Sequence, residues 1–311
     1  MHRVAVIDCG TNTFNLLIAD VNDGKIRFRK RTKRVVKLGS AGIGNNFIGD
    51  LPFERGISAL KEYSDIIKKA KVDAVLAVAT SAIRDAKNKN SFVKAAKNRC
   101  GLNLKCISGE KEAALITKGV HSALKKDDKT SLILDIGGGS VEFIICKMGK
   151  ILWKNSYRLG AARLIEAFPL KNKVSKSVER KTEAHINSVI VDFFDAFNRY
   201  NPEQLIGSSG SFETFQSILS LKDGQKPNYS KKIQSLDVKK YKILHTELLN
   251  SSYEEQLQMP GMLKMRADMI AAASIIVTFV LKKTKTKDVI LSNYSLKEGV
   301  LFEYLQKNKL I

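Results

Sequence analysis

Cysteine is scarce. The 311-residue chain holds four, Cys9, Cys100, Cys106 and Cys146, with no CxxC pair and no histidine cluster beside them. That excludes a disulfide scaffold and a zinc site of the usual spacing, and points to a reducing compartment. The four histidines, His2, His121, His185 and His245, share no metal-ligand spacing and read as structural. Long hydrophobic runs are missing too: the longest, Met269–Leu281, is interrupted by Ser274 and Thr278, well short of the roughly 20 residues that span a bilayer. Asp8 breaks the apolar N-terminus before the core of a signal peptide can form. The expectation is a cytoplasmic protein with no membrane partner.

Acid is the other shortage. Lys and Arg number 53 against 31 Asp and Glu, a formal net charge of +22, with the excess spread over both halves. Such a field concentrates polyanions of any kind, whether nucleic acid, anionic lipid, nucleotide or inorganic polyphosphate, without choosing among them. Basic residues are densest at Lys25–Lys37, where eight are Lys or Arg; that cluster suits either a polyanion track or a solvated strand face. No helix-turn-helix, RNA-binding aromatic motif or zinc finger argues for a specific nucleic-acid partner. A hydrophobic fraction of 44% with 27% charged residues removes disordered and fibrous classes. The length suits about two domains.

Strand-like and helix-like segments alternate throughout, the pattern of an α/β fold. Val4–Ile7, Asn15–Asp20 and Ile26–Arg34 read as strands, with a turn at Asn22-Asp23-Gly24 and a helix near Phe53–Lys69. A lysine-rich connector, Lys125–Lys129, marks the expected boundary between residues 1–124 and 125–297. Beyond it, strands at Leu132–Asp135, Val141–Cys146 and Ile151–Tyr157 repeat the opening. Lys176–Tyr200 and Met262–Lys283 read as helices, and Lys222–Lys240 as a loop or surface excursion.

The repeat is specific. An offset of 127 residues lays VAVIDCGTNTFNLLIAD on SLILDIGGGSVEFIICK. Asp8 falls on Asp135, Gly10 on Gly137, Thr13 on Ser140 and Asn15 on Glu142. Any two hairpins share apolar strands, but the matched Asp-x-Gly-x-x-Ser/Thr turns go further. They suggest duplicated domains facing each other across a cleft. Turns rich in Gly, Ser, Thr and Asn offer backbone N–H groups to an anion without bulky side chains in the way. Gly137, Gly138, Gly139 and Ser140 form one such turn; Gly10, Thr11, Asn12 and Thr13 form the other. Asp135 and Asp8, at the strand ends, are placed to hold a divalent cation such as Mg²⁺ beside a phosphate. Together they describe a phosphoryl-transfer site.

These residues resemble the two phosphate loops of the acetate kinase, sugar kinase, Hsp70 and actin superfamily. Within it the chain is similar to the exopolyphosphatase and guanosine pentaphosphate phosphohydrolase (Ppx/GppA) family. The likeness runs through VATSAIRDAKN (Val78–Asn88), ISGEKEAALITKGV (Ile107–Val120), LGAARLIEAF (Leu159–Phe168), IGSSGSFETF (Ile206–Phe215), RADMIAAA (Arg266–Ala273) and SNYSLKEGVL (Ser292–Leu301). It implies two ribonuclease-H-like domains, each a mixed five-stranded sheet, with the terminal helix (298–311) returning to the first. It also implies Mg²⁺-dependent hydrolysis of terminal phosphates. Glu112 matches the glutamate taken in the family as the base that activates water, and Glu142 is the second candidate, for base or metal ligand. Asp135 and Ser140 match the metal-linked and phosphate-contacting positions. Arg84, in ATSAIR, suits a bidentate phosphate grip or a buried ion pair.

The chain departs from the family in places. Ser209 stands in a segment usually richer in Gly and Thr, Lys297 where Arg is common, and Asn15 where a basic residue or His is common. The chain ends too soon for the C-terminal helical domains of longer members. The resemblance is compatible with a homodimer. The expected function is an exopolyphosphatase, hydrolysing inorganic polyphosphate from its end. The alternatives are a pppGpp 5′-phosphohydrolase and a non-hydrolytic polyphosphate or (p)ppGpp sensor. A small-molecule kinase fits less well, because IGSSGSFETF is a poor adenosine pocket.

Overall fold

The computed structural model describes residues 1–40, 42–124 and 128–311. The chain divides into two compact units, one of Met1–Gly119 with Leu296–Ile311 and one of Val120–Ser295. The connector at Lys125–Lys129 falls partly outside the described residues, at 125–127.

The first unit opens with an antiparallel meander of β1 (His2–Cys9), β2 (Thr13–Asn22) and β3 (Lys25–Val35). Asp23 and Gly24 both have positive φ, 48° and 73°, so the expected turn is the left-handed kind whose twist matches a hairpin. Next come α1 (Asp50–Ala70), β4 (Ala74–Ala79), α2 (Ser81–Arg84), α3 (Lys89–Cys100), β5 (Leu104–Cys106) and α4 (Gly109–Ala123). β4 and β5 join in parallel to give the order β3-β2-β1-β4-β5. Alternation along the strands sends Ala5, Ile7, Cys9, Phe14, Leu16 and Ile18 to one face. There they pack with Leu60 and Tyr63 of α1 and Phe92 of α3. The Tyr63 hydroxyl donates to the Phe14 carbonyl at 2.8 Å, tying helix to sheet.

The second unit repeats the meander with β6 (Thr130–Ile136), β7 (Val141–Lys147) and β8 (Lys150–Tyr157). It continues through α5 (Ala161–Ala167), α6 (Lys176–Val189), α7 (Val191–Tyr200), β9 (Gln204–Ser208), α8 (Gly210–Lys222), β10 (Ile233–Ser235), α9 (Val238–Asn250), α10 (Tyr253–Gln258), α11 (Ile270–Thr284) and β11 (Asp288–Ser292). The strand order is β10-β11-β9-β6-β7-β8. The last helix, α12 (Leu296–Lys307), belongs to the first unit and packs on β1. A Cβ on its Gly299 would lie 1.8 Å from the Leu115 carbonyl oxygen of α4, so only glycine lets these two helices approach so closely.

The architecture is the duplicated mixed α/β fold expected, with three differences in detail. The second sheet has six strands rather than five, because Ile233–Ser235, inside the stretch read as a loop, pairs antiparallel with β11. Flanking lysines hid so short an edge strand, and charge is how edges avoid mispairing. Lys176–Tyr200 is two helices, broken at Ile190 (φ −104°, ψ 32°). Val189, Ile190 and Val191 form a β-branched run that is stiff at χ1 and a weak helix former. The buried helix starts at Ile270, not Met262. The preceding segment instead follows Gly261 (φ 86°) through tight turns, with the Arg266 guanidinium against Gly210 at the start of α8.

One buried polar cluster makes a pH prediction for the second unit. His245 of α9 hydrogen-bonds through Nδ1 to Ser274 of α11 at 2.7 Å, and its Nε2 is 3.2 Å from Glu179 of α6. Burial pushes the imidazole below its ordinary value, more than Glu179 raises it; Lys176 and Glu183 also face it. The native state therefore resists a proton that the unfolded chain accepts near pH 6.5. Stability should be full above that value and decline as pH falls through it, by at most about 1.4 kcal/mol per pH unit for one proton. Melting curves between pH 7.5 and 5.5 should show the decline, and His245→Gln should flatten it. Equal slopes in both proteins would refute the assignment.

Candidate active site

The two turns after β1 and β6 are built alike. The Gly10 N–H donates to the Thr13 carbonyl at 3.1 Å, and the Gly137 N–H to the Ser140 carbonyl at 3.0 Å. A Cβ at either glycine would lie 3.0 Å from that acceptor oxygen, so the closure of each turn favours glycine.

Carbonyls of both turns are held by donors from neighbouring segments. In the first unit the Asn12 carbonyl accepts from the Val36 and Lys37 N–H groups, both at 2.9 Å, and Thr11 accepts from Gly39 at 3.4 Å. In the second, Gly137 accepts from Ala161 at 3.0 Å and Gly138 from Ala162 at 2.9 Å. The Gly139 carbonyl accepts from Arg163 Nε at 2.9 Å. With the acceptors occupied, the amides of Gly138 and Gly139 have no acceptor among the described residues. A peptide turn in that state is a donor set for an anion.

Beside the second turn, register places a polar row across the sheet. Ser292, Ser208, Asp135, Glu142 and Ser156 are successive cross-strand partners on β11, β9, β6, β7 and β8, so their side chains share one face. The Asp135 carboxylate is buried and accepts from the Ser208 and Ser295 hydroxyls, the latter at 2.6 Å. Glu142, 1% exposed, accepts from Ser156 at 2.7 Å. The hydroxyl donors fix the direction of each carboxylate. Two hard oxygen donors on adjacent strands suit Mg²⁺, which takes one or two carboxylates and completes its shell with water and phosphate. In the first unit Asp8 pairs in register with Asn15 and accepts from its amide at 3.0 Å.

Glu112 stands in the first turn of α4. The Ser108 hydroxyl accepts from the Lys111 N–H at 3.2 Å, capping that helix. Glu112 is 6% exposed, and Arg84 Nη1 donates to its Oε2 at 2.7 Å. Arg84 also reaches the Ile107 carbonyl at 3.3 Å and Asp85 at 3.2 Å. The guanidinium therefore reaches Ile107 and Asp85 as well as Glu112, and holding Glu112 is one of its contacts.

Several contributors carried no role in the sequence reading. Ser208, Ser295 and Ser156 hold the carboxylates, and Gly160 lets α5 close on the glycine turn. A Cβ at Gly160 would lie 2.3 Å from the Gly138 carbonyl and 2.4 Å from the Gly139 nitrogen. Their segments, IGSSGS, SNYSL, KNSY and LGAAR, are visible in the sequence; the contacts depend on register.

A model of the Ppx/GppA phosphatase family matches residues 17–308. The chain belongs to this family. A crystal structure of an exopolyphosphatase from Cytophaga hutchinsonii is 36% identical and superposes over 98% of both chains with a TM-score of 0.96. A Ppx/GppA family member from Aquifex aeolicus is 26% identical, with a TM-score of 0.80 over 99% of this chain and 98% of its own. A bifunctional 3-dehydroquinate synthase/phosphatase of Fusobacterium nucleatum is 32% identical over 96% of this chain and 46% of its own length. The chain thus spans about half of that curated relative. No described helix is long and apolar enough to cross a membrane.

Proposed function

We propose that the chain is an exopolyphosphatase, releasing phosphate from the end of inorganic polyphosphate. The supporting observation is the pair of matched turns with occupied carbonyls, the second of which leaves the Gly138 and Gly139 amides as a donor set. In this reading the Gly138 and Gly139 amides of the second unit bind phosphate, and Thr11–Thr13 are the corresponding phosphate donors of the first unit. Glu112 takes a proton from water as its oxygen attacks phosphorus in line, and the bridging P–O bond breaks to leave the shortened chain as an anion. Arg84 orients the Glu112 carboxylate through the 2.7 Å bond. Fixed amides at the charged oxygens stabilise a transition state whose charge is spread over them, without reorganisation. Asp135 and Glu142 would hold Mg²⁺, with Asp8 as the matching carboxylate, and the ion would neutralise phosphate charge when bound. The net charge of +22 raises the local concentration of a polyanionic substrate.

The test is phosphate release from long-chain polyphosphate, pppGpp and ATP side by side, with and without Mg²⁺. Release from polyphosphate that depends on the metal is the expected result. Release from pppGpp alone would replace the substrate. Binding without release from any of the three would replace the hydrolase with a sensor.

A further inference from the structure

A second constellation of cations lies in the first unit, at the opposite end of β1 from the first turn. Arg3 and Gly10 are seven residues apart along extended chain, roughly 23 Å at the usual strand rise. Around Arg3 is a pocket of about 330 Å³, lined by Arg3, Arg29, Lys30 and Lys69 over Ile18, Ile66 and Ala70. Its volume lies within the roughly 300–1,000 Å³ typical of small-molecule sites. Four of the seven lining residues are cations and none is a carboxylate.

The cations are brought there by specific features. A β-bulge interrupts the pairing of β2 with β3: Ile18 faces Lys30 while Ala19 faces Phe28, leaving Arg29 as the extra residue. In a regular strand Arg29 and Lys30 would point to opposite faces. The bulge sends both into the same pocket, the re-aiming such irregularities perform. Arg3 is held rigidly. Its Nε and Nη2 meet Asp20 at 2.5 and 3.1 Å, and its Nη1 donates to the Ala70 carbonyl at 2.7 Å. Arg29 Nε is 3.4 Å from the same carboxylate. Asp20 therefore serves two arginines, and Asp73 binds the Arg3 backbone N–H. Lys69 makes no ion pair among the described residues, and Lys30 helps stabilise the charged Glu62 carboxylate without pairing with it directly.

We propose that this pocket binds a nucleotide, whose phosphates meet Arg29, Lys30, Lys69 and the edge of Arg3 while its base covers the half-buried Ile66 and Ala70 above Ile18. An inorganic phosphate chain satisfies the cations but leaves the apolar floor wet, whereas an organic phosphate uses both. A bilayer surface fits less well. No aromatic or leucine side chain lines the pocket, and the exposed Leu51 lies 18 residues from Lys69 along α1, about 27 Å at the helical rise. The assignment stands apart from the hydrolase reading, since none of its residues belongs to that site.

Methyl NMR of isoleucine-labelled protein reads the floor directly. Titration with the non-hydrolysable ATP analogue AMP-PNP should shift the Ile18 and Ile66 methyls saturably. Lys30→Glu with Lys69→Glu should weaken that titration at least about tenfold, and tripolyphosphate should bind there about tenfold less tightly than the nucleotide. Glu112→Gln should leave the shifts unchanged, which separates this pocket from the hydrolytic site. Methyls that stay still would overturn the proposal. So would tripolyphosphate matching AMP-PNP, which leaves the floor without a part. Lysine-dependent binding to phosphatidylglycerol vesicles without any response to AMP-PNP would assign the patch to a membrane instead.

Discussion

Glu112→Gln is expected to lower kcat for phosphate release by about 10²–10⁴-fold, the usual contribution of a positioned general base, with the melting temperature nearly unchanged. The substitution is nearly isosteric, and the glutamine Oε1 can still accept the Arg84 Nη1 hydrogen bond now made at 2.7 Å. Arg84 also keeps the Ile107 carbonyl and Asp85, so the change does not strand a buried cation, the usual reason such variants unfold. What disappears is the capacity to take a proton. KM should change little, because the proposed binding groups are the turn amides. Glu142→Gln is the comparison that gives the result meaning. Glu142 is tied to Ser156 and sits beside Asp135 in the sheet row, and its loss should weaken the dependence on Mg²⁺ as well as the rate. If Glu112→Gln stays active while Glu142→Gln does not, the base is Glu142.

The strands, both turns and the duplication were legible because each rests on local order. Apolar runs ending in Asp, then Gly, then small polar residues recur at a fixed offset, and the same turn hydrogen bonds appear at Gly10 and Gly137. What escaped depends on register between distant segments. Nothing in IGSSGS says that Ser208 stands opposite Asp135, and nothing in SNYSL says that Ser295 reaches the same carboxylate. The Arg84–Glu112 pair joins residues 28 positions apart, so the sequence could present each as a candidate but not couple them. The bulge at Arg29 was hidden for a related reason. Lys25, Arg27 and Arg29 alternate with Ile26 and Phe28 as a regular strand would, and the extra residue shows only against β2. Helix limits failed where tertiary contact overrode propensity, as at Arg266, which packs on Gly210 rather than extending α11.

Gly160→Ala should be nearly as damaging to activity as removing the base, through geometry alone. Gly160 precedes α5 with φ −56° and ψ 153°, a conformation alanine adopts readily, so no backbone strain enters. The added methyl would have to fit 2.3 Å from the carbonyl carbon and oxygen of Gly138 and 2.4 Å from the Gly139 nitrogen. Those atoms are backbone and cannot rotate away, so either the glycine turn or the start of α5 must move. Moving α5 would also stretch the bonds from Ala161 and Ala162 that hold the turn's carbonyls. Overpacking of this kind costs roughly 1–3 kcal/mol, and displacement of a positioning element by about 1 Å costs on the order of 10²-fold in rate. The variant should therefore stay folded at moderate temperature while kcat/KM falls by about 10²-fold or more. Gly49→Ala supplies the control. Gly49 also precedes a helix, with φ −64°, and its added methyl would come no closer than 3.7 Å, to Pro52. A Gly160→Ala protein with full activity would remove the second turn from the phosphate site, because no arrangement of its amides could tolerate that methyl unchanged.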